Sequence, residues 1–151
     1  MTIHIRRAAP EDAETIAEFQ LRMAMETENL SLDRDTVHAG VRAVLKDSRK
    51  GRYYVAQADG QVVGSLLVTP EWSDWRNATF WWIQSLYVTE AYRRRGVFRA
   101  LFGYLQRLAQ SNDGVLGLRL YVASRNAAAQ RAYEAVGMDG EHYRMYEWVK
   151  P

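Results

Sequence analysis

The residues best suited to chemistry cluster between Gln84 and Phe102. An apolar strand, Phe80 to Val88, runs into a polar turn, Thr89 to Tyr92, and then into Arg93-Arg94-Arg95-Gly96. Beyond the glycine, apolar residues recur at Val97, Ala100, Leu101, Tyr104, Leu105 and Leu108, the spacing of one helical face. The order is therefore strand, basic glycine turn, helix N-terminus. A helix start offers unpaired N–H groups and the positive end of its dipole, and a glycine there lets backbone approach a bulky anion. Those features together predict a phosphate or pyrophosphate cradle. Two carboxylates, Glu26 and Glu28, follow a helical face marked by Ile16, Phe19 and Met23; they either face a substrate or are simply solvated. The segment Glu71 to Ala78 carries Trp72, Asp74 and Trp75, and such a loop either folds onto the core or lines a ligand cleft.

The elements that position these groups are legible in order. Ile3 to Arg7 alternates and reads as a strand. Pro10 opens a helix with Glu11 and Asp12 in its first turn, and Ala9 cannot cap it with a side chain. Asp33 or Asp35 caps a second helix with Val37, Val41, Val44 and Leu45 on its buried side. Strands over 52–58 and 62–69 flank Asp59-Gly60, a two-residue hairpin signal, and Pro70 is expected to end the second of them. Strand 80–88 is apolar on both faces, as a central strand should be, with Gln84 its polar exception. Helix 97–111, strand 115–122, a helix capped by Asn126 and ended by Gly137, and a closing strand 143–149 complete the chain. The result is a mixed α/β fold, a mostly antiparallel central sheet flanked by helices in the order β-α-α-β-β-β-α-β-α-β.

A chain of 151 residues suits one domain, 1–151, with a real core. Its net charge of +2 is too small to argue for nucleic acid. It has no cysteine, so a disulfide scaffold, a thiolate zinc site and a cysteine acyl-enzyme are excluded. His4, His38 and His142 lack metal-ligand spacing, and no metal is expected. Charged residues Arg6, Arg7, Glu11 and Asp12 stand where a leader would be apolar, and no apolar run is long enough to span a membrane. A cytoplasmic location is the expectation.

Two motifs resemble those of the GCN5-related N-acetyltransferases. The turn Arg93-x-x-Gly96-x-Phe98 is similar to the family's pyrophosphate loop, Gln/Arg-x-x-Gly-x-Gly/Ala, with Phe98 at a position that is usually small. Asn126-x-x-Ala129-x-x-x-Tyr133-x-x-x-Gly137-Met138 looks like the second motif. The resemblance is specific from Leu86 to Met138 and topological before that.

It implies an acyl-CoA N-acyltransferase fold and direct transfer of acetyl from acetyl-CoA to an amine in a ternary complex. It implies that Arg93, Arg94, Arg95, Gly96, Val97, Phe98 and Arg99 bind pyrophosphate, and that the backbone of Leu86, Tyr87 and Val88 holds pantetheine. The Val88 N–H then polarises the acetyl carbonyl. Asn126 and Ala129 flank the cofactor arm, and Tyr133 protonates the departing thiolate. Relatives often place a carboxylate base before the Leu-x-Val strand end; here Gln84 and Ser85 stand there. Glu26, Glu28, Asp74, His142 and solvent remain open as the base.

The expected acceptor is a primary amine, small and cationic, with Glu26, Glu28, Trp72, Asp74, Trp75, Trp82 and Gln84 as its contacts if those segments converge. A protein N-terminus or lysine is the alternative acceptor, and a non-turning acyl-CoA sensor is the alternative function. Partners are thus a small amine, no nucleic acid and no membrane, with a homodimer allowed.

Overall fold

The computed structural model describes all residues, Met1–Pro151, in two compact units, Met1–Arg119 and Leu120–Pro151. The first holds a five-stranded sheet of β1 (His4–Arg7), β2 (Arg52–Ala58), β3 (Gln61–Ser73), β4 (Ala78–Val88) and β5 (Val115–Arg119), in that spatial order. Every neighbouring pair is antiparallel except β4 with β5, which is parallel. The helices of this unit are α1 (Ala13–Glu28), α2 (Arg34–Lys46) and α3 (Val97–Gln110).

Each helix buries the face its spacing predicts. Ile16 and Ala17 of α1 and Val41 of α2 pack on Tyr53 and Val55 of β2. Val97, Leu101, Phe102 and Leu105 of α3 are buried, and Tyr104 meets Tyr54 of β2 with ring centroids 5.6 Å apart. Tyr54 neighbours Tyr53 and Val55 on β2, and strand side chains alternate, so α3 covers the face opposite α1 and α2.

Local chemistry sets the ends. Asp33 caps α2 by accepting from the Thr36 N–H at 2.9 Å. The weak start expected at Ala9 is reinforced from elsewhere: a 3-10 turn, Pro10–Asp12, precedes α1, and the Asp12 carboxylate accepts from the Ala9 N–H at 2.7 Å and from the Arg6 guanidinium at 2.7 and 2.9 Å. Asp59 and Gly60 both have positive φ, 52° and 77°, the backbone of a tight hairpin turn closed by Ala58 opposite Gln61.

Three boundaries differ from expectation. Pro70 does not end β3, which continues to Ser73 with Pro70 opposite Trp81 in the ladder. The expected loop 71–78 is therefore half strand, with its turn confined to Asp74–Asn77. Strand β5 stops at Arg119 rather than 122.

The unit Leu120–Pro151 contains α4 (Ala127–Ala135). Asn126 caps it, its side-chain oxygen accepting from the Ala129 N–H at 3.1 Å. Gly137, at φ 92°, closes it: its N–H reaches the Glu134 carbonyl and the Met138 N–H reaches the Tyr133 carbonyl, a double C-terminal cap. The closing strand expected over 143–149 is not formed. A strand exists only by pairing, and no ladder in this chain includes that segment.

Candidate active site

The site begins where β4 loses its parallel neighbour. The β4–β5 ladder runs from Thr79 opposite Val115 to Trp82 opposite Arg119 and goes no further. Residues Ile83–Val88 are therefore paired on the β3 side alone, an earlier parting than the one expected near Val88. The Thr89 N–H bonds to Val63 of β3 at 2.9 Å. Successive N–H groups of a strand point to opposite sides, so the Val88 N–H points away from β3, to the open side.

A bulge sets which side chains surround that opening. Ser65 opposes Tyr87 and Leu67 opposes Gln84, so Ser85 and Leu86 together face the single residue Leu66. Ser85 carries the strain, at φ 52°. The extra residue shifts alternation by one, and Tyr87 joins Gln84 on the α1 face instead of Ile83 on the α3 face. Tyr87 is buried there against Phe19 of α1, ring centroids 5.2 Å apart. Its hydroxyl donates to Glu26 Oε2 at 2.6 Å. Nothing in the sequence analysis anticipated this bulge; a non-glycine residue at positive φ inside a strand has no local signature.

Arg93 completes the cluster. Its Nη2 donates to Glu26 Oε1 at 2.8 Å, its Nε donates to the Val88 carbonyl at 2.8 Å, and its guanidinium lies 5.3 Å from the centre of the Tyr87 ring. The hydrogen bond from Tyr87, with help from Arg93, holds the Glu26 carboxyl below the ordinary glutamate range. Burial and the Glu26 carboxylate in turn push the Tyr87 phenol up. Glu26 is thus an engaged anion.

The turn after β4 is fastened on its other side too. The Tyr92 hydroxyl donates to Asp59 Oδ2 at 2.8 Å and accepts from Gln61 Nε2 at 3.2 Å. Arg94 at φ 61° and Gly96 at φ 88° bend the chain into α3. The first intrahelical bond of α3 runs from the Ala100 N–H to the Gly96 carbonyl, so the N–H groups at 97–99 have no acceptor within the helix itself. Gly96, at the N-cap, has no side chain to cap the helix, and no acidic residue stands in the first turn. A Cβ built on Gly96 meets nothing within 4 Å. The Arg95 guanidinium donates to the Ala91 carbonyl at 3.3 Å and lies 4.9 Å from the centre of the Tyr92 ring. A helix start with a positive dipole end, in a segment that also carries Arg94 and Arg99, has the chemistry to suit a pyrophosphate. The Phe98 ring lies against Phe102, centroids 5.9 Å apart.

Beside Ser85 lies a pocket of about 250 Å³ lined by Gln20, Met23, Ala24, Thr27 and Glu28 of α1, Leu30 and Leu32 of the following loop, and Ser85 itself. The Gln20 amide nitrogen is buried without a hydrogen-bond partner.

The expected acceptor residues are dispersed. Glu28 lines this pocket and Glu26 is bound to Tyr87 and Arg93. Gln84 donates to Thr69 Oγ1 at 2.6 Å. Trp82 Nε1 donates to Glu71 at 3.1 Å, and Glu71 is neutralised by Arg119 at 2.6 Å. Trp72 lines a separate groove with Arg7, Arg52, Trp81 and Thr79. Thr79 and Ser85 lie six residues apart on β4, about 20 Å at the rise of a strand. Asp74 and Trp75 are exposed in the β3–β4 turn. Trp72, Asp74 and Trp75 therefore do not join Glu26 and Glu28. The reason is that β3 and β4 extend as a long hairpin and carry the tryptophans to its far end. Asn126, Ala129 and Tyr133 share α4 in the second unit, where burial raises the Tyr133 phenol above its usual value. His142 lies beyond α4, its ring 6.4 Å from that of Tyr143.

Comparison with known proteins bears on this geometry. A family model described as Acetyltransferase (GNAT) family matches residues 15–138, across the boundary between the two units. The crystal structure of a possible acetyltransferase from Clostridium difficile 630 is 43% identical, with TM-score 0.92 over 100% of this chain and 99% of that one. A ribosomal-protein-alanine N-acetyltransferase from Brucella melitensis biovar Abortus 2308 shares the fold at 17% identity and TM-score 0.80, over 99% of this chain and 100% of that one. An aminoglycoside acetyltransferase from an uncultured soil metagenomic sample does so at 20% identity and TM-score 0.76, again over 99% and 100%. No curated protein gives a significant match.

Proposed function

Since this chain belongs to the acetyltransferase (GNAT) family, we propose that it moves an acetyl group from acetyl-CoA directly to a primary amine, and that the amine is small and cationic. The observation that carries this reading is the stretch Ile83–Val88, outside the ladder with β5, followed through the basic glycine turn by the N-terminus of α3. Acetyl-CoA supplies the activated acetyl thioester. The N–H groups of Val97, Phe98 and Arg99 hold its pyrophosphate, with Arg94, Arg95 and Arg99 near it. The backbone of Leu86 to Val88 lies along pantetheine, and the Val88 N–H donates to the acetyl carbonyl oxygen, where charge gathers as the amine attacks. Tyr133 donates its hydroxyl proton toward the departing sulfur; its raised pKa keeps that proton in place at neutral pH. On this reading residues 1–151 act as one acetyltransferase domain.

The acceptor site of this proposal is the pocket beside Ser85. Glu28 is its only acidic lining residue and attracts an ammonium; Met23, Leu30 and Leu32 take an apolar part of the acceptor. An alkylammonium has a pKa of about 10, so it must lose a proton before attack. Glu26 is a poor recipient, being held ionised by Tyr87 and Arg93. Glu28 therefore passes that proton to solvent.

The test is an acetyl-CoA turnover screen with cationic, neutral and anionic amines and with peptides, read by thiol release and by product mass. Turnover with small cationic amines supports the proposal. Acetylation of neutral or anionic amines alone rejects the acceptor class, and acetyl-CoA binding without turnover of any amine rejects the enzyme.

A further inference from the structure

Trp72 takes no part in the pocket beside Ser85, but it lines a second groove of about 530 Å³ with Arg7, Arg52, Trp81, Thr79 and Asn112. Every residue lining this groove belongs to the Met1–Arg119 unit. Register puts the groove on the α3 face of the sheet. Arg7 stands opposite Tyr54, and Arg52 comes two residues before Tyr54, so both arginines share that face as diagonal neighbours, about 7–8 Å apart at the backbone. Arg52 opposes Val68, Pro70 opposes Trp81 and Trp72 opposes Thr79. The same face therefore continues through Val68, Pro70 and Trp72 of β3 to Trp81 and Thr79 of β4.

The charge of this groove is one-sided. No acidic residue lines it. Asp47, Glu71 and Asp113 adjoin residues that do, but Asp47 is bound by Arg49, Glu71 is bound by Arg119, and Asp113 is exposed. The side chains of Arg7 and Arg52 have no ion pair or hydrogen bond within the protein. The carbonyls at the end of α3 do not engage them either. The Ser111 N–H holds the Arg107 carbonyl at 3.1 Å, the Ser111 hydroxyl holds that of Leu108 at 2.9 Å, and the Asn112 N–H holds that of Ala109 at 3.2 Å. The Asn112 side-chain oxygen accepts from the Gly114 N–H at 3.0 Å, so its remaining polar group is a donor. Arg52 is fixed by aromatic rings instead. Its guanidinium lies over the Trp81 ring at 4.7 Å and the Tyr54 ring at 5.8 Å. Such contacts engage the flat face of a guanidinium and leave the donors on its edge unused.

We propose that this groove is a second binding site, and that its ligand is an oxyanion joined to an aromatic ring, as in an aryl phosphate or an aromatic carboxylate. Arg7 and Arg52 hold the oxyanion, through the paired hydrogen bonds that a guanidinium makes to either group. Trp72, 63% exposed, offers its indole to the ring. The spacing suits such a ligand. The Arg52 guanidinium reaches the Trp81 ring, level with Pro70, and Trp72 stands two residues further along β3, about 7 Å at the rise of a strand and the length of a small aryl phosphate. The groove volume also falls within the range of about 300–1,000 Å³ usual for small-molecule sites.

Calorimetric titration with phenyl phosphate tests it, with inorganic phosphate and phenol as the two halves of the probe. The groove variants are Arg7→Gln and Trp72→Ala, both at exposed positions, with circular dichroism and melting curves as fold controls. Gly96→Glu is the control for binding at the turn before α3. The unaltered chain is expected to bind one equivalent of phenyl phosphate with Kd below about 1 mM, at least tenfold tighter than either half. Each groove variant should weaken binding at least tenfold, and Gly96→Glu should leave it unchanged. An unaltered chain without saturable binding overturns the proposal, as does unchanged affinity in either groove variant. A loss of affinity in Gly96→Glu places the anion at the turn and overturns it too. Equal affinity for inorganic phosphate overturns the aromatic ligand class.

Discussion

Arg93 does more in this molecule than supply charge. Its guanidinium spans the Glu26 carboxylate, the Val88 carbonyl and the Tyr87 ring, so one side chain ties α1 to the end of β4. This is a use a planar fork of donors allows and a lysine would not. The turn beside it, proposed above to hold pyrophosphate, depends instead on backbone. At Gly96 a side chain would meet nothing, yet φ is 88°, which L-residues adopt at a cost of about 1 kcal/mol. Gly96→Glu should therefore leave a folded protein while placing a carboxylate at the N-terminus of α3. We expect acetyl-CoA affinity by calorimetry to fall tenfold or more, and unchanged affinity would remove this turn from the binding site. Tyr133→Phe tests the proton donor, because it deletes the hydroxyl and keeps the ring. Turnover should drop by roughly 10²-fold, with acetyl-CoA affinity and melting temperature nearly unchanged. A normal rate excludes the hydroxyl from the mechanism, and a lowered melting temperature alone assigns Tyr133 to packing.

At the scale of elements, the bulge in β4 is the device that assembles the site. It turns Tyr87 toward α1 and places Ser85 at the wall of the 250 Å³ pocket. Because Ser85 sits at φ 52°, Ser85→Val should cost about 1–2 kcal/mol, whereas Ser85→Gly should be tolerated. Equal melting temperatures for the two variants would contradict the strained backbone described here. The start of α1 carries a pH dependence. Hydrogen bonding from Arg6 and from the Ala9 N–H holds the Asp12 carboxyl below its ordinary value near 3.8. A carboxyl whose pKa is lowered by folding contributes stability that is complete above the unfolded value and is lost as pH falls through the folded one. Stability should thus decline below about pH 4 in part through Asp12. Asp12→Asn should lower stability at neutral pH by about 1–3 kcal/mol and flatten the acid limb of the curve. An unaltered acid limb in urea titrations at several pH values would assign that decline to other groups.

For the whole molecule, the core lies between α3 and the sheet and between the sheet and the α1–α2 layer. Leu101 is wholly buried on α3, and Leu101→Ala should cost about 2–5 kcal/mol, read as a lowered urea midpoint with the slope unchanged. A loss below about 1 kcal/mol would mean that α3 can collapse onto the sheet without its side chain. No helix is long and apolar enough to cross a membrane. Much of this architecture follows from local patterns. Helical spacing at Val97, Leu101 and Leu105, the Asp59-Gly60 turn, the Asn126 cap and the Gly137 stop each act over a few residues, so sequence alone determined them. The same holds for the basic glycine turn and the helix start that follows it. What only tertiary structure decided is relational. Pro70 tolerates a ladder position, Ser85 takes a positive φ, and β5 leaves β4 after Trp82 because of how neighbouring strands meet. The acidic and aromatic residues expected to share one cleft are separated along a hairpin, since composition records which groups exist and not where strand length carries them. Glu26, open on sequence to a role as base, is bound by Tyr87 and Arg93, residues 61 and 67 positions away, and pairing at that separation has no local signal. Segment 143–149 has a strand's composition and no ladder, because a strand is completed by its partner.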